Sequence, residues 1–263
     1  MNGFIIEISP IKDYEIVNNN YSKVIHSSLM EIFKLYDKMD MKVSNIFGMF
    51  YENNIKLYKD KKYKIRVVTK KEDVFHKITK ELFEVVINKE KLKLGELECK
   101  LTSIITSDKT WCGEYNIEKE YNKIELENDF YKKMDLKVVT PVFKNEKSVF
   151  GFENILEIIL DELTEEKIVK GELKDYKENI LNSIFVNNEL FRQKYMKTQK
   201  IYLGDINLEL RGYYGEILYI ILNYIKFTGV GENKEYGYGE IIVEERDNAD
   251  KKNKYIKKGR GGI

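Results

Sequence analysis

The hydrophobic patterns of this sequence predict an α+β fold made of two like units in tandem. Three observations carry the prediction. A strand–helix–strand–strand–helix–strand order runs through residues 1–107, the same order recurs after residue 133, and a glycine-rich segment separates the last helix from the last strand.

In the first unit, Phe4-Ile5-Ile6-Glu7-Ile8 reads as a strand closed by Pro10. Residues 20–37 read as a helix, with Val24, Ile25, Leu29, Ile32, Phe33 and Tyr36 on one stripe at helical steps. A strand or hairpin is expected around Gly48, within Asn45 to Leu57. Tyr63 to Thr69 alternates with the period of a strand. Glu72 to Val86 is helical in pattern, with Val74, Phe75, Ile78, Leu82 and Phe83 inward, and Leu97 to Thr106 is a further strand. That is the split βαβ order of a ferredoxin-like, or RRM-like, domain.

Residues 108–133, charged and punctuated by Gly113, are expected to link this unit to a second one at 134–247. There, Leu136 to Thr140 is a strand stopped by Pro141, and residues 151–163 are a helix. Residues 174–196 are expected to be helical too, and Lys200 to Arg211 to be a hairpin turning at Gly204-Asp205. The apolar run Gly215 to Phe227 is a last helix and Glu240 opens a last strand. The duplication is one of order, since no repeat is visible residue by residue. The basic tail, residues 248–263, is expected to be disordered on its own.

Between that last helix and strand lies Gly229-Val230-Gly231-Glu232-Asn233-Lys234-Glu235-Tyr236-Gly237-Tyr238-Gly239. Glycine enters φ > 0 without penalty and lets another backbone approach, and successive exposed amides in such a loop form an anion-binding nest. A dinucleotide or P-loop site needs strand before helix, so that phosphate meets a helix N-terminus. The order here is reversed, which argues against a Rossmann-type nucleotide enzyme.

Composition sets broad bounds. The 263 residues carry 45 basic and 44 acidic side chains, a net charge of +1, so whole-protein charge makes no argument for a polyanionic partner. Its distribution is uneven: residues 53–80 hold ten Lys or Arg against three acids, whereas residues 153–166 carry six acids and no base. Two cysteines, Cys99 and Cys112, without ligand spacing give no zinc motif, no cofactor motif is present, and unpaired cysteines suit a reducing cytoplasm. No signal peptide or run of roughly 20 apolar residues points to a membrane.

At the glycine segment the sequence resembles the repeat-associated RNA-binding (RAMP) superfamily of CRISPR systems, whose glycine-rich loop lies between the last helix and strand of a ferredoxin-like domain. Within it, the chain is most similar to the endoribonucleases that cut CRISPR precursor transcripts in each repeat. Thr140-Pro141 after a strand, and Arg211-Gly212-Tyr213-Tyr214-Gly215 leading into the last helix, extend the likeness. The resemblance implies RNA binding by the loop, through Gly229, Gly231, Asn233, Lys234, Gly237 and Gly239. It also implies repeat RNA, precursor and processed, as the partner. CRISPR effector subunits and a second copy of the chain are further partners it leaves open.

RNA carries its own nucleophile, the 2′-hydroxyl, so cleavage to a 2′,3′-cyclic phosphate requires alignment, a base, an acid and positive charge, and no metal. Histidine suits the proton steps. Of the two histidines, His26 lies at the edge of the first helix's apolar stripe and is the candidate acid or base, while His76 reads as a surface residue. The other reading of His26 is a helix-edge histidine bonded to a backbone carbonyl. Lys23 shares its helix face, and Tyr21 and Ser22 are further candidates, with Tyr21 near the core stripe. Arg192, Lys194, Lys197 and Lys200, with Tyr195 among them, form a basic stretch suited to an RNA stem. The rival function is a non-catalytic relative that holds repeat or guide RNA in an effector complex.

Overall fold

The computed structural model describes residues 1–16, 21–47, 55–107, 111–125, 129–165, 177–196 and 198–246. The expected basic tail, Lys197 and the surroundings of Gly48 lie outside the described residues.

Asn2–Pro10 forms β1, followed by the short β2 (Tyr14–Ile16) and helix α1 (Tyr21–Ile32). β3 (Met41–Val43), β4 (Ile55–Leu57) and β5 (Tyr63–Thr69) precede α2 (Glu72–Ile87), and β6 (Lys91–Leu94) and β7 (Leu97–Ile105) complete the first half. The sheet runs β3-β5-β1-β7-β6, each pair antiparallel, and β2 pairs with β4 apart from it. Phe4, Ile6 and Ile8 of β1 face a core with Ile25 and Leu29 of α1 and Ile78 and Leu82 of α2.

A connection with β8 (Gly113–Glu114), paired to the start of β1, and α3 (Ile117–Tyr121) leads to β9 (Tyr131–Val138). The hairpin β10 (Phe143–Lys144) and β11 (Lys147–Ser148) comes next, then α4 (Phe152–Glu165) and α5 (Lys177–Asn182). Two 13-residue strands follow, β12 (Ile184–Met196) and β13 (Gln199–Arg211), and then α6 (Gly212–Thr228) and β14 (Ile241–Glu245). This second sheet runs β12-β13-β9-β14, again antiparallel, over a core shared by α4 and α6. Each half thus places its second, third, first and fourth principal strands side by side in that order, giving a mixed α/β architecture.

Several expectations need correction. The helical stripe does not reach Tyr36, which is 99% exposed. α1 stops at Ile32 because Lys34 turns left-handed (φ 51°) and the amides of Lys34 and Leu35 close back on the carbonyls of Glu31 and Met30, a Schellman ending. Phe83 points outward, because the buried positions of α2 follow the four-residue step Val74, Ile78, Leu82. The expected helix over 174–196 is helical only at Lys177–Asn182 among its described residues and then becomes β12. β12 is an edge strand exposed on both faces, with a register shift between Val186 and Asn188, so it shows neither apolar alternation nor a regular period. Nor does the chain turn at Gly204-Asp205. Gly204 pairs with Phe191 inside the ladder, where a Cβ would lie 2.6 Å from the Leu190 carbonyl and 2.9 Å from the Phe191 ring. β9 begins at Tyr131, three residues before the expected unit boundary.

The halves meet on the face of the first sheet that its own helices leave open. Gly3 allows Phe227, near the end of α6, to approach: a Cβ there would lie 3.1 Å from the Phe227 ring. Tyr115 joins the halves, its amide donating to the Met1 carbonyl and its hydroxyl to that of Ile220. No helix among the described residues is long and apolar enough to cross a membrane. Neither cysteine is in a disulfide and both are buried, and burial pushes the Cys99 thiol up to about 12, which leaves it unreactive.

Candidate active site at the glycine-rich loop

The loop after α6 is fixed by its own backbone. Gly229 ends the helix at φ 69°, Asn233 is left-handed, Lys234–Tyr236 forms a 3-10 turn, and Gly237 and Gly239 are left-handed again. Its glycines are needed for close approach: a Cβ on Gly239 would lie 1.7 Å from the Val230 carbonyl oxygen, and one on Gly237 would lie 2.8 Å from Cα of Ser44 in the first half. The expected row of open amides is absent at most positions. Gly229 donates to Ile225, Val230 to Gly239, Glu232 to Phe143, Gly237 to Lys234 and Gly239 to Pro141. The Gly231 amide and the Lys234 ammonium both bind the Glu162 carboxylate of α4, at 2.7 and 3.0 Å. The glycines therefore pack the loop between the halves, and what faces outward is mainly side chain, including the exposed Asn233.

Beneath the loop is a buried charge cluster. Lys42 of β3 pairs with Glu240 at 3.7 Å, both almost fully buried, and the fully buried Arg66 of β5 donates from Nε to the Trp111 carbonyl at 2.9 Å. The guanidinium lies 5.1 Å from the Trp111 ring and 5.5 Å from that of Phe227. Among the described residues, Lys42 Nζ, Arg66 Nη2 and both Glu240 carboxylate oxygens have no hydrogen-bond partner. Burial pushes Lys42 down to about 8, against the opposing pull of Glu240.

The α1 candidates lie against the loop. His26 is 2% exposed, and its Nε2 lies 3.0 Å from the Met41 carbonyl and 3.2 Å from that of Lys38. Two acceptors at Nε2 place the proton there, so in the neutral imidazole only Nδ1 can take another. The Tyr236 ring stands edge-on to His26, centroids 5.2 Å apart, and the exposed Lys23 places Nζ 4.9 Å from the same ring. Tyr21 is buried and its hydroxyl donates to the Leu94 carbonyl at 2.7 Å, which ties α1 to β6; Ser22 is also buried. His76 is on the surface beside Glu72.

Arg192 and Lys194 of β12 and Lys200 of β13 are exposed near the free end of the long hairpin and not on a helix. Sequence reasoning missed Lys42, Arg66, Tyr236, Glu162 and Glu240. A basic or acidic residue within an apolar strand, as Arg66 is within Ile65-Arg66-Val67, was the one available signal.

No protein-family model and no curated protein matches the sequence. Solved structures do match over nearly the whole chain. A Cas6 product complex aligns at 14% identity and TM-score 0.63, covering 92% of this chain and 99% of that one. Thermus thermophilus Cas6 aligns at 13% identity and TM-score 0.60, covering 92% and 98%. A RAMP protein described as binding different RNA substrates aligns at 14% identity and TM-score 0.50, covering 93% and 100%. Over more than nine-tenths of its length, about 92–93%, the chain has the fold of Cas6 and RAMP structures.

Proposed function

We propose that this chain binds CRISPR repeat RNA in the cleft where α1, the glycine-rich loop and the β12–β13 hairpin meet, and cuts it there through the RNA's own 2′-hydroxyl. We read residues 1–107 and 134–247 as ferredoxin-like domains joined by 108–133, since both sheets share one strand order. The observation that carries the proposal is the convergence of Lys23 and His26 with Tyr236 of the loop in a chain of Cas6 fold. His26 Nδ1 accepts the proton of the attacking hydroxyl as the 2′-oxygen bonds to phosphorus and the bond to the 5′-oxygen breaks, the Lys23 ammonium offsets charge at the phosphoryl oxygens, and the leaving 5′-oxygen takes its proton from water. RNA must move Tyr236 aside for this, because His26 is covered. Arg192, Lys194, Lys197 and Lys200 bind phosphates of the stem.

A second reading has an observation of its own. His26 is buried with Nε2 held by two carbonyls, as a structural histidine would be, and this favours a non-catalytic protein that holds repeat or guide RNA. One experiment separates the two. End-labelled repeat RNA from the neighbouring CRISPR array is incubated with protein in EDTA, beside copies carrying single 2′-deoxy substitutions. The nuclease gives one cut that a single deoxy substitution removes; the RNA holder binds and leaves the RNA whole; absence of both ends the RNA reading.

A further inference from the structure

Beside Lys23 the loop borders a cavity of about 200 Å³ between the halves and the free end of the long hairpin. This is below the roughly 300–1,000 Å³ of a drug-sized site and suits one planar heterocycle. Phe143, Tyr238 and Met196 form its apolar walls, and Tyr238 meets Phe143 edge to face with centroids 5.6 Å apart. Glu146, Glu232, Asn233, Gln199 and Lys23 form the polar part of its lining.

One wall is strained. Asn145 and Glu146, the two residues joining β10 to β11, are left-handed at φ 52° and 60°, the type I′ geometry of a two-residue hairpin. Asparagine tolerates that region; glutamate does so at a cost. Glu232 holds the turn from the glycine-rich loop, its two carboxylate oxygens accepting the Asn145 and Glu146 amides at 2.6 and 3.1 Å. Gln199 adds a bond from Nε2 to the Glu146 carbonyl at 2.5 Å. Strain held by contacts from distant segments marks a built surface.

We infer that this cavity is a subsite for one unpaired nucleobase of the bound RNA, and that it selects bases carrying an exocyclic amine. The inference rests on the RNA reading above and adds the chemistry of the substrate. The aromatic and thioether walls take a π face. Two carboxylates against one ammonium repel phosphate, so backbone is not the ligand. A carboxylate offers about four lone-pair sites, and Glu232 retains acceptor capacity beyond its two amides. Adenine, cytosine and guanine present amino donors, with two N–H groups each, to such an acceptor; uracil presents only its single ring N3–H.

The test uses repeat RNA in which each unpaired nucleotide is replaced, one at a time, by an abasic ribose or by uridine. One position should weaken binding about tenfold when abasic, and uridine there should bind less tightly than the amino-bearing bases. That abasic penalty should vanish in Tyr238→Leu, which keeps apolar bulk and removes the ring. Gln199→Ala, at the half-buried start of β13, serves as a second variant: it removes one bond to the turn and should reduce the penalty, with a thermal melt reporting that the chain still folds. RNA that binds with no sensitive position, or with the same penalty in both variants, overturns the subsite and leaves the RNA reading standing. Failure to bind any repeat RNA overturns both.

Discussion

His26 shows how much a residue's role depends on its surroundings. Its Nε2 is committed to the carbonyls of Met41 and Lys38, so the side chain fixes the segment after α1 whatever else it does. His26→Ala should lower cutting by about 10² to 10⁴-fold if Nδ1 takes the proton in the reaction, with RNA affinity near wild type in a filter-binding assay. A wild-type cutting rate with a lowered melting temperature would make the residue structural. The seam below gives a second test. Glu240 is the carboxylate facing Lys42 and Arg66, and Glu240→Gln leaves two buried cations without it, which should cost about 3–5 kcal/mol in chemical denaturation. Lys42 also makes stability depend on pH. Its folded pKa, about 8, lies below the ordinary lysine value of 10.5, so between these values the unfolded state binds more protons and stability rises with pH. The slope from this one group is at most about 1.4 kcal/mol per pH unit. Wild type should show the rise between about pH 8 and 9.5 and Lys42→Met should not.

At the scale of elements, the glycine-rich loop and the β12–β13 hairpin were legible to different degrees. The loop stood out because doubled glycines between a helix and a strand have few explanations. The explanation the structure supplies is close packing against Val230, Phe143 and Ser44, and that requires knowing which backbones meet. Gly239→Ala adds a Cβ into the Val230 carbonyl at a left-handed position and should destabilise by about 2–5 kcal/mol in a thermal or urea melt. Gly212→Ala is the control: it is also left-handed but has open space around it, so only about 1–2 kcal/mol of backbone strain is expected. The hairpin was misread because β12 has solvent on both sides and a bulge, so its sequence carries no packing signal. It nevertheless presents Arg192 and Lys194 where a helix end was expected, with Lys200 on the facing strand. If these bind phosphate, replacing one by alanine should lower the salt dependence of RNA binding by about one unit of slope and weaken all repeat variants alike.

For the whole molecule, the two halves share one seam, in which the only tryptophan, Trp111, packs against Arg66 and Phe47. Because Phe227 at the end of α6 packs against Gly3 and Arg66 of the first sheet, the halves should unfold together, with tryptophan fluorescence and far-ultraviolet circular dichroism tracing one transition; two separated transitions would mean that the halves are stable alone. The strands at 4–8, 63–69 and 97–106, the helices at 72–86 and 151–163 and the place of the glycine-rich loop between the last helix and strand were determined by the sequence itself. Each rests on hydrophobic period or on glycine stereochemistry, which act over a few neighbouring residues. Only the tertiary structure decided that the loop's amides turn inward, that Tyr236 covers His26, that Glu232 holds a turn 86 residues away, and that Lys42, Arg66 and Glu240 share a buried seam. Those outcomes depend on which segments meet across the two halves, and local periodicity carries no record of such long-range contacts.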